Sequence, residues 1–321
     1  MIESSFWGKL SKPFFALAPM ADVTDVAFRR IIAKYGKPDI LWTEFVSADG
    51  LILADAPGRA RLLSDLGFTE AERPIVAQLF TACPEIMEQA AALILKLGFD
   101  GLDINMGCPD RQVEKQGSGA ALIKDPRRAR EIIRAARLGG GSKLPISVKT
   151  RLGYNRDELE TWLPELLAEE PSAVTIHART RKEMSKVPAH WERIARAVAI
   201  RDASGSRSLI IGNGDVSDLA EAKRRAVETQ ADGIMLGRAI FGRPWLFAGR
   251  DFSLRERLEI LAEHTALFEK LLGETKSFAV MKKHFKSYLS GFPGAGDLRA
   301  RLMETNSAAE VKRLTFSGKV C

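Results

Sequence analysis

Cysteine is scarce in this chain of 321 residues: Cys83, Cys108 and Cys321 are an odd number, without the close pairing of metal ligands. That excludes a disulfide framework and a structural zinc, and leads us to expect a reducing, cytoplasmic setting and no metal. No uninterrupted apolar run is long enough to span a bilayer, and residues 1–12 lack an extended apolar stretch. The expectation is therefore a protein with neither a membrane segment nor a secretory signal. Low-complexity tracts are also missing, and 45% hydrophobic with 28% charged residues is the composition of an ordinary globular protein.

Short runs rich in β-branched residues recur over the first 250 residues: Phe14–Ala18, Ile40–Thr43, Ile75–Leu79, Gly101–Ile104, Ile146–Lys149, Ala173–His177, Leu209–Gly212 and Gly233–Leu236. Several, such as Ile-Ser-Val-Lys and Leu-Ile-Ile-Gly, suit strands buried on both faces, as a parallel sheet requires. Amphipathic stretches alternate with them, at Asp25–Tyr35, Pro84–Leu97, Pro126–Leu138, Arg156–Ala168, His190–Arg201 and Ser217–Glu228. Pro84 and Pro126 fall where proline is tolerated, in the first helical turn. Residues Leu51 to Arg73 are less regular and predict a short helix with a long loop. Eight alternations favour a (β/α)8 TIM barrel over an open sheet, and such a barrel takes roughly 250 residues. From Leu254 on, only helices are predicted (Leu254–Leu272, Ser277–Ser290, Leu298–Glu304), with a Gly291-Phe-Pro-Gly-Ala-Gly turn between the last two. The division expected is a barrel over residues 1–250 and a small C-terminal helical domain over 251–321.

Charge is uneven. The net charge is +7, and from Lys276 to Cys321 nine basic residues stand against three acidic ones, a net of +6. A solvated helical face accounts for such a run as well as a polyanionic partner does. RNA is the sharper expectation, because phosphate neutralisation supplies much of the affinity for nucleic acids. Lys282, Lys283, Lys286 and Arg299 are the candidate contacts.

In a barrel of this kind the working residues emerge at the C-terminal ends of the strands. The ring there comprises Pro19-Met20-Ala21, Glu44, Gln78, Asn105 with Cys108, Lys149 with Arg151, His177 with Arg179, Asn213-Gly214-Asp215 and Gly237-Arg238. So much polarity predicts an enzyme. The last two clusters fall where barrels often hold a phosphate, although tight turns alone would explain their glycines. Lys149 ends a buried strand, so its ammonium should face the barrel mouth. There it suits the edge of a flavin that gains negative charge on reduction, and Gln78 could bond the same ring. A Schiff-base lysine is the competing chemistry, although no neighbour in the sequence obviously depresses its pKa. Cys108 lies on a long glycine-bearing loop resembling a lid and is a candidate proton donor; Cys83, also just after a strand and before a proline, is its rival. His177 reads as either a cofactor or substrate ligand or a satisfied interior histidine, and Arg179 and Arg181 close behind favour the ligand. His190, His264 and His284 read as structural or surface residues.

Taken together, Ala18-Pro-Met-Ala-Asp-Val-Thr-Asp, Asp103-Ile-Asn-Met-Gly-Cys-Pro, Val148-Lys-Thr-Arg-Leu-Gly, Thr175-Ile-His-Ala-Arg-Thr-Arg, Gly212-Asn-Gly-Asp-Val and Gly233-Ile-Met-Leu-Gly-Arg-Ala resemble the tRNA-dihydrouridine synthases. Met281-Lys-Lys-His and Gly291-Phe-Pro-Gly-Ala look like that family's C-terminal helical domain. The resemblance implies FMN held at Pro19, Met20, Ala21, Gln78, Lys149, Asn213, Gly214, Asp215, Gly237 and Arg238. It makes Cys108 the proton donor and puts Asn105, Arg151 and His177 around flavin and base. Arg179 is a further substrate-side candidate. The implied reaction is reduction of tRNA uridines to 5,6-dihydrouridine, with hydride from flavin N5 to C6 and a proton from Cys108 to C5. The resemblance implies NADPH as the electron donor, leaving before RNA binds, and the absence of a dinucleotide-binding fingerprint is consistent with such transient binding. A monomer is expected. Two features depart from the family pattern: Lys182–Trp191 lacks the glycine-rich, aromatic form before its tryptophan, and Cys83 replaces a polar residue. The rival enzymatic reading is an FMN barrel acting on a small free pyrimidine, like the dihydroorotate dehydrogenases.

Overall fold

The structure is a computed structural model and describes residues 5–289 and 291–316. Cys321 and Ser290, named in the expectations above, and Lys319, one of the nine basic residues counted there, lie outside the described residues. In chain order the elements open with β1 (Phe14–Leu17), α1 (Val26–Tyr35), β2 (Leu41–Ser47), α2 (Ala48–Leu53), α3 (Ala56–Asp65), β3 (Ile75–Phe80) and α4 (Pro84–Lys96). They continue with β4 (Gly101–Asn105), α5 (Arg111–Lys115), α6 (Pro126–Gly140), β5 (Ile146–Arg151), α7 (Leu159–Leu167), β6 (Ala173–His177), α8 (Trp191–Ser204), β7 (Leu209–Asn213), α9 (Leu219–Thr229) and β8 (Gly233–Leu236). Four helices follow: α10 (Leu254–Leu272), α11 (Ala279–Tyr288), α12 (Ala295–Met303) and α13 (Ala308–Phe316).

All eight strands are parallel, each paired with its sequence neighbour, and β1 lies against β8. Between β1 and β2 the ring is closed by a bridge from Ala16 to Ile40 and by the Leu17 N–H donating to the Ile40 carbonyl at 3.3 Å. This is the (β/α)8 barrel expected. Strand alternation then divides the interior by height. Phe14, Ala16, Val76, Ala173, Leu209, Ile211 and Met235 form one buried apolar cluster with Trp7 and Trp42, which fills the lower barrel. Higher up, register aligns Gln78 with Asp103 and Asp103 with Ser147, then Asn105 with Lys149 and Lys149 with Thr175, then Arg151 with His177 and His177 with Asn213. Because side chains alternate faces with a period of two, each aligned set points the same way, into the mouth. Gly233 allows the floor to close: a Cβ there would meet the Phe14 ring at 2.4 Å.

Local signals explain the helix starts. Asp25 caps α1 by accepting from the Phe28 N–H at 2.9 Å, and Asp125 caps α6 from the Arg128 N–H at 3.0 Å. Three segments differ from expectation. Residues Leu51 to Arg73 hold the second half of α2, all of α3 and a short turn at Glu70–Glu72, rather than one helix and a long loop. Their starts are set by side-chain caps, Ser47 to the Gly50 N–H and Asp55 to the Gly58 N–H, which a hydrophobic-periodicity reading does not see. In the C-terminal unit α12 begins at Ala295, inside the glycine-rich turn, and α13 was not anticipated; its short apolar face is completed by burial of Ala308 and Val311. The long loop after β4 is no open flap, since it contains α5 and a 3-10 turn, Gly119–Lys124, whose Gly119 to Ile123 are all buried.

The C-terminal helices share one apolar cluster with α1: Val26, Ala27 and Ile31 pack with Trp245, Phe252, Leu261, Phe268 and Phe285. His264 and His284 are fully buried in it, 4.9 and 4.7 Å from the Phe28 ring. Burial pushes His284 down to about 3, so both rings are neutral packing elements, not surface charges.

Candidate active site

The polar layer at the strand ends surrounds a cleft lined by Pro19, Met20, Gln78, Asn105, Cys108, Lys149, Arg151, His177, Arg179, Asn213, Gly214, Asp215, Gly237 and Arg238. Nearly every candidate read from the barrel sequence therefore meets in one place. Ala21 and Glu44 do not: Ala21 is exposed on the turn after β1, and Glu44 is buried behind the lining. Lys282, Lys283, Lys286 and Arg299 lie on α11 and α12, away from the cleft, with Lys283 and Lys286 exposed. Sequence reasoning missed Phe45, Gly107, Pro109, Ser185, Val216 and Met235 as lining residues. Strand period could have found Met235, two positions before Gly237 on the same face. Nothing in the sequence marks Ser185, which a surface turn carries into the cleft.

The cysteine is held by a hydrogen-bonded chain rising from the barrel interior. Asp103, fully buried, accepts from Ser147 Oγ at 2.5 Å and from Gln78 Nε2 at 2.6 Å. Gln78 Oε1 accepts from Asn105 Nδ2 at 3.1 Å, and Asn105 Oδ1 accepts from the N–H groups of Gly107 and Cys108 at 3.1 and 2.9 Å. From outside, the Cys108 carbonyl accepts from the Ala120 N–H at 2.9 Å and the Gly107 carbonyl from Arg151 Nε at 2.7 Å. Gly119, at φ +62°, makes room: a Cβ there would stand 2.7 Å from the Cys108 carbonyl oxygen. Arg181 pairs with Glu114 on α5, tying the loop to the segment after β6. Cys108 thus sits on an over-determined turn. Cys83 is outside the cleft, its thiol donating to Glu85 Oε2 at 3.0 Å.

Asn105→Ala removes the acceptor of two loop amides and the donor to Gln78. It is expected to lower stability by about 1–3 kcal/mol and to make Cys108 react faster with a soluble disulfide reagent. Unchanged thiol reactivity and unchanged melting would mean that the chain of bonds does not hold the loop.

Electrostatically the cleft is cationic. Lys149 Nζ makes one long hydrogen bond, 3.3 Å to Asn213 Oδ1. Burial, and then the Arg151 charge, pull its pKa down to about 8, so the sequence reading that nothing depresses this lysine is corrected. Burial and the charges of Arg151, Lys149, Arg179 and Arg238 hold His177 well below its usual value, hence neutral. Arg179 NH1 lies 3.2 Å from His177 Nε2. A guanidinium only donates, so that nitrogen accepts and the proton sits on Nδ1. Arg179 also pairs with Asp215, and Arg238 reaches Asp215 Oδ1 at 2.8 Å. Asp103 rises to about 6 and the Cys108 thiol above its ordinary range, both mainly through burial.

This donor set suits a planar, anion-accumulating ring with a phosphate tail. Thr175 Oγ1, in register with Lys149, is buried without a partner among the described residues. Lys149 has N–H capacity to spare, and Arg238, Gly237 and Gly214 gather at one end of the cleft. A flavin mononucleotide fits these residues.

The model for dihydrouridine synthase (Dus) matches residues 16–317. A protein of Staphylococcus aureus (strain MRSA252) named "Probable tRNA-dihydrouridine synthase" is 40% identical over 317 residues, covering 98% of this chain and 95% of that one. "Probable tRNA-dihydrouridine synthase 2" of Bacillus subtilis (strain 168) is 42% identical, covering 98% of this chain and 96% of its own. Among solved structures, a 2-naphthoyl-CoA reductase complex aligns with a TM-score of 0.55 at 13% identity, over 73% of this chain and 49% of that one. Morphinone reductase aligns with a TM-score of 0.51 at 15% identity, over 74% and 86%; these two likenesses concern the fold. The chain belongs to the dihydrouridine synthase family of flavin-dependent oxidoreductases.

Proposed function

We propose that this enzyme reduces uridines of tRNA to 5,6-dihydrouridine, with FMN resident in the cleft and NADPH as its transient reductant. The observation that carries the reading is the presentation of the Cys108 thiol, its pKa raised by burial, into the same cleft as Lys149. Lys149, Asn213, Gly214, Gly237 and Arg238 would hold the flavin, with Pro19 and Met20 forming the wall beside it. When bound, the reduced flavin supplies the hydride for C6 of the uracil.

The residues of the chain do the rest. Cys108 donates the proton that completes C5, acting as a general acid. The thiolate left behind is stabilised by the charges of Arg151 and Lys149, which favour the ionised sulfur, until solvent returns a proton. Arg151 also fixes the rim, donating to the carbonyls of Gly107, Thr180 and Met184. Neutral His177 offers Nδ1–H as a donor without adding charge. Extruding a base into the cleft costs a few kcal/mol, offset by contacts to the RNA backbone. For those contacts the exposed cations of α11 to α13 are the source: Lys283, Lys286, Arg301, Lys312 and Arg313 are exposed, and Lys282 and Arg299 partly so. An enzyme for a free pyrimidine has no use for this face, which favours RNA over the smaller substrate.

The test is direct. With NADPH, the purified yellow protein should add two hydrogens to uridine in tRNA, read as a gain of about 2 Da in nuclease digests, and leave free uridine untouched. Equal turnover of a free pyrimidine would overturn the assignment of substrate.

A further inference from the structure

Lys276 is one of the nine basic residues that suggested an RNA-binding tail, yet it is not available to RNA. It lies in the turn between α10 and α11, its N–H donating to the Leu272 carbonyl at 2.7 Å. Its side chain, 11% exposed, reaches across to the barrel. There its Nζ lies 2.9 Å from Glu44 Oε2, 3.1 Å from Asp65 Oδ1 and 3.8 Å from Asp22 Oδ1. These carboxylates come from β2, the end of α3 and the turn after β1. Three acids facing one cation is an arrangement that holds only while that cation stays, because Glu44 is itself 7% exposed and water does not replace the partner.

The contact continues into the cleft. Glu44 uses its other oxygen, Oε1, to accept from the backbone N–H of Asp22. Asp22, at φ +53°, is the left-handed corner of the Met20-Ala21-Asp22 turn. That turn is closed by the N–H groups of Val23 and Thr24 donating to the Met20 carbonyl at 3.1 and 3.0 Å. Met20 lines the cleft, and its sulfur would lie 3.8 Å from a Cβ on Gly237. From Lys276 to the turn that carries Met20 there are thus two bonded steps, through one glutamate.

We propose that Lys276 is a positioning residue: reaching from the helical unit, it fixes the Met20-Ala21-Asp22 turn through Glu44, and with it Met20 in the cleft wall, so that the seating of the helices and the shape of the cleft are coupled. The helical unit then does more than attract phosphate. It holds one wall of the cleft in place, and any displacement of the turn between α10 and α11 is passed on to Met20. Lys283, 4.0 Å from Asp22 Oδ2, flanks the same turn from the outer side, where a polyanion that drew it away would relax the corner.

The inference rests on the reading of the enzyme as an FMN-dependent reductase of tRNA, and the test separates the two. In full-length protein, Lys276→Met is compared with wild type and with Lys286→Met, the control for a phosphate contact. Four quantities are measured: amide hydrogen exchange over residues 22–24 without ligand, the FMN dissociation constant, dihydrouridine turnover, and the salt dependence of tRNA binding. For Lys276→Met we expect faster exchange, FMN affinity and turnover each about tenfold lower, and an unchanged salt slope. Lys286→Met should lower that slope by about one while leaving exchange alone. Lys276→Arg should recover part of the lost turnover. If Lys276→Met does not fold, Glu44→Gln is the second variant and should shift exchange and FMN affinity in the same direction by less. Lys276→Met that lowers the salt slope like Lys286→Met, or that leaves exchange and FMN affinity at wild-type values, overturns the proposal. A wild-type protein that leaves tRNA unreduced sinks the functional reading instead, and the exchange result still decides the coupling.

Discussion

Cys108→Ala should leave the enzyme folded and able to bind FMN and tRNA, with dihydrouridine formation about 10²–10⁴-fold slower, the range that a positioned general acid contributes. The turn that carries the thiol is held by backbone groups, Asn105 Oδ1 on two amides and Cys108 O on Ala120 N–H, so losing Sγ removes none of them. The pH dependence has a definite sign. A general acid works while protonated, and burial raises the Cys108 pKa above the ordinary thiol range. Its contribution is therefore complete at neutral pH and lost only as pH climbs through that raised value. Cys108→Ser, with a far weaker acid in the same place, should remain near the alanine variant at pH 7. Cys83→Ala should keep full turnover, because its sulfur is bound to Glu85 outside the cleft. Single-turnover reduction of tRNA by each variant distinguishes these outcomes, and wild-type rates in Cys108→Ala would exclude the thiol as proton donor.

Lys149→Met is expected to act in opposite directions on stability and on ligand binding. In the free protein this ammonium is buried beside Arg151 with one long hydrogen bond, and its pKa is pulled to about 8 from the ordinary 10.5. A cation whose folded pKa is depressed penalises the folded state fully below about pH 8, and the penalty fades as pH rises towards the unfolded value. Replacing it with methionine should therefore raise the melting temperature of the flavin-free protein at pH 7, with less gain at pH 10. The same substitution removes the cation facing the flavin ring and should weaken FMN binding by about 10²-fold, equivalent to roughly 2.7 kcal/mol. In the wild type, FMN affinity should fall as pH passes about 8, and in Lys149→Met that step should vanish. A variant that is less stable without flavin, and unchanged in FMN affinity, would show a structural lysine. A Schiff-base role, the alternative left open by the sequence, predicts a covalent adduct trapped by borohydride, which the flavin reading does not.

The barrel was legible because its signals are local and repeated. Eight short apolar runs alternate with amphipathic stretches, and β6 and β8 end at the residues expected. Strand ends then supplied the site, since a closed parallel barrel has one mouth and the last inward residue of each strand must face it. Fourteen lining residues were named on that logic alone; Ala21 failed because it lies past the strand, on a turn that points out, and Glu44 because it turns away to meet Lys276. Elements defined by caps or by packing were not legible: α2 and α3 start at side-chain caps, and α13 is a short helix completed by its neighbours. The loop after β4, expected to resemble a lid, is fixed by Arg151 on the Gly107 carbonyl and by Arg181 on Glu114, contacts that join residues far apart in the chain.

From the order of residues alone follow the strand count, the parallel barrel, the polar ring at its mouth and the preference for Cys108, because each depends on local periodicity or on position along a strand. Folding in three dimensions decided which charges are free and which are engaged. Lys276 and Lys286 look alike in a tally, yet one is enclosed by three carboxylates and the other is exposed. Charge adds up along a chain, whereas the energy of a charge depends on its neighbours and its distance from water, and only the packed molecule fixes those.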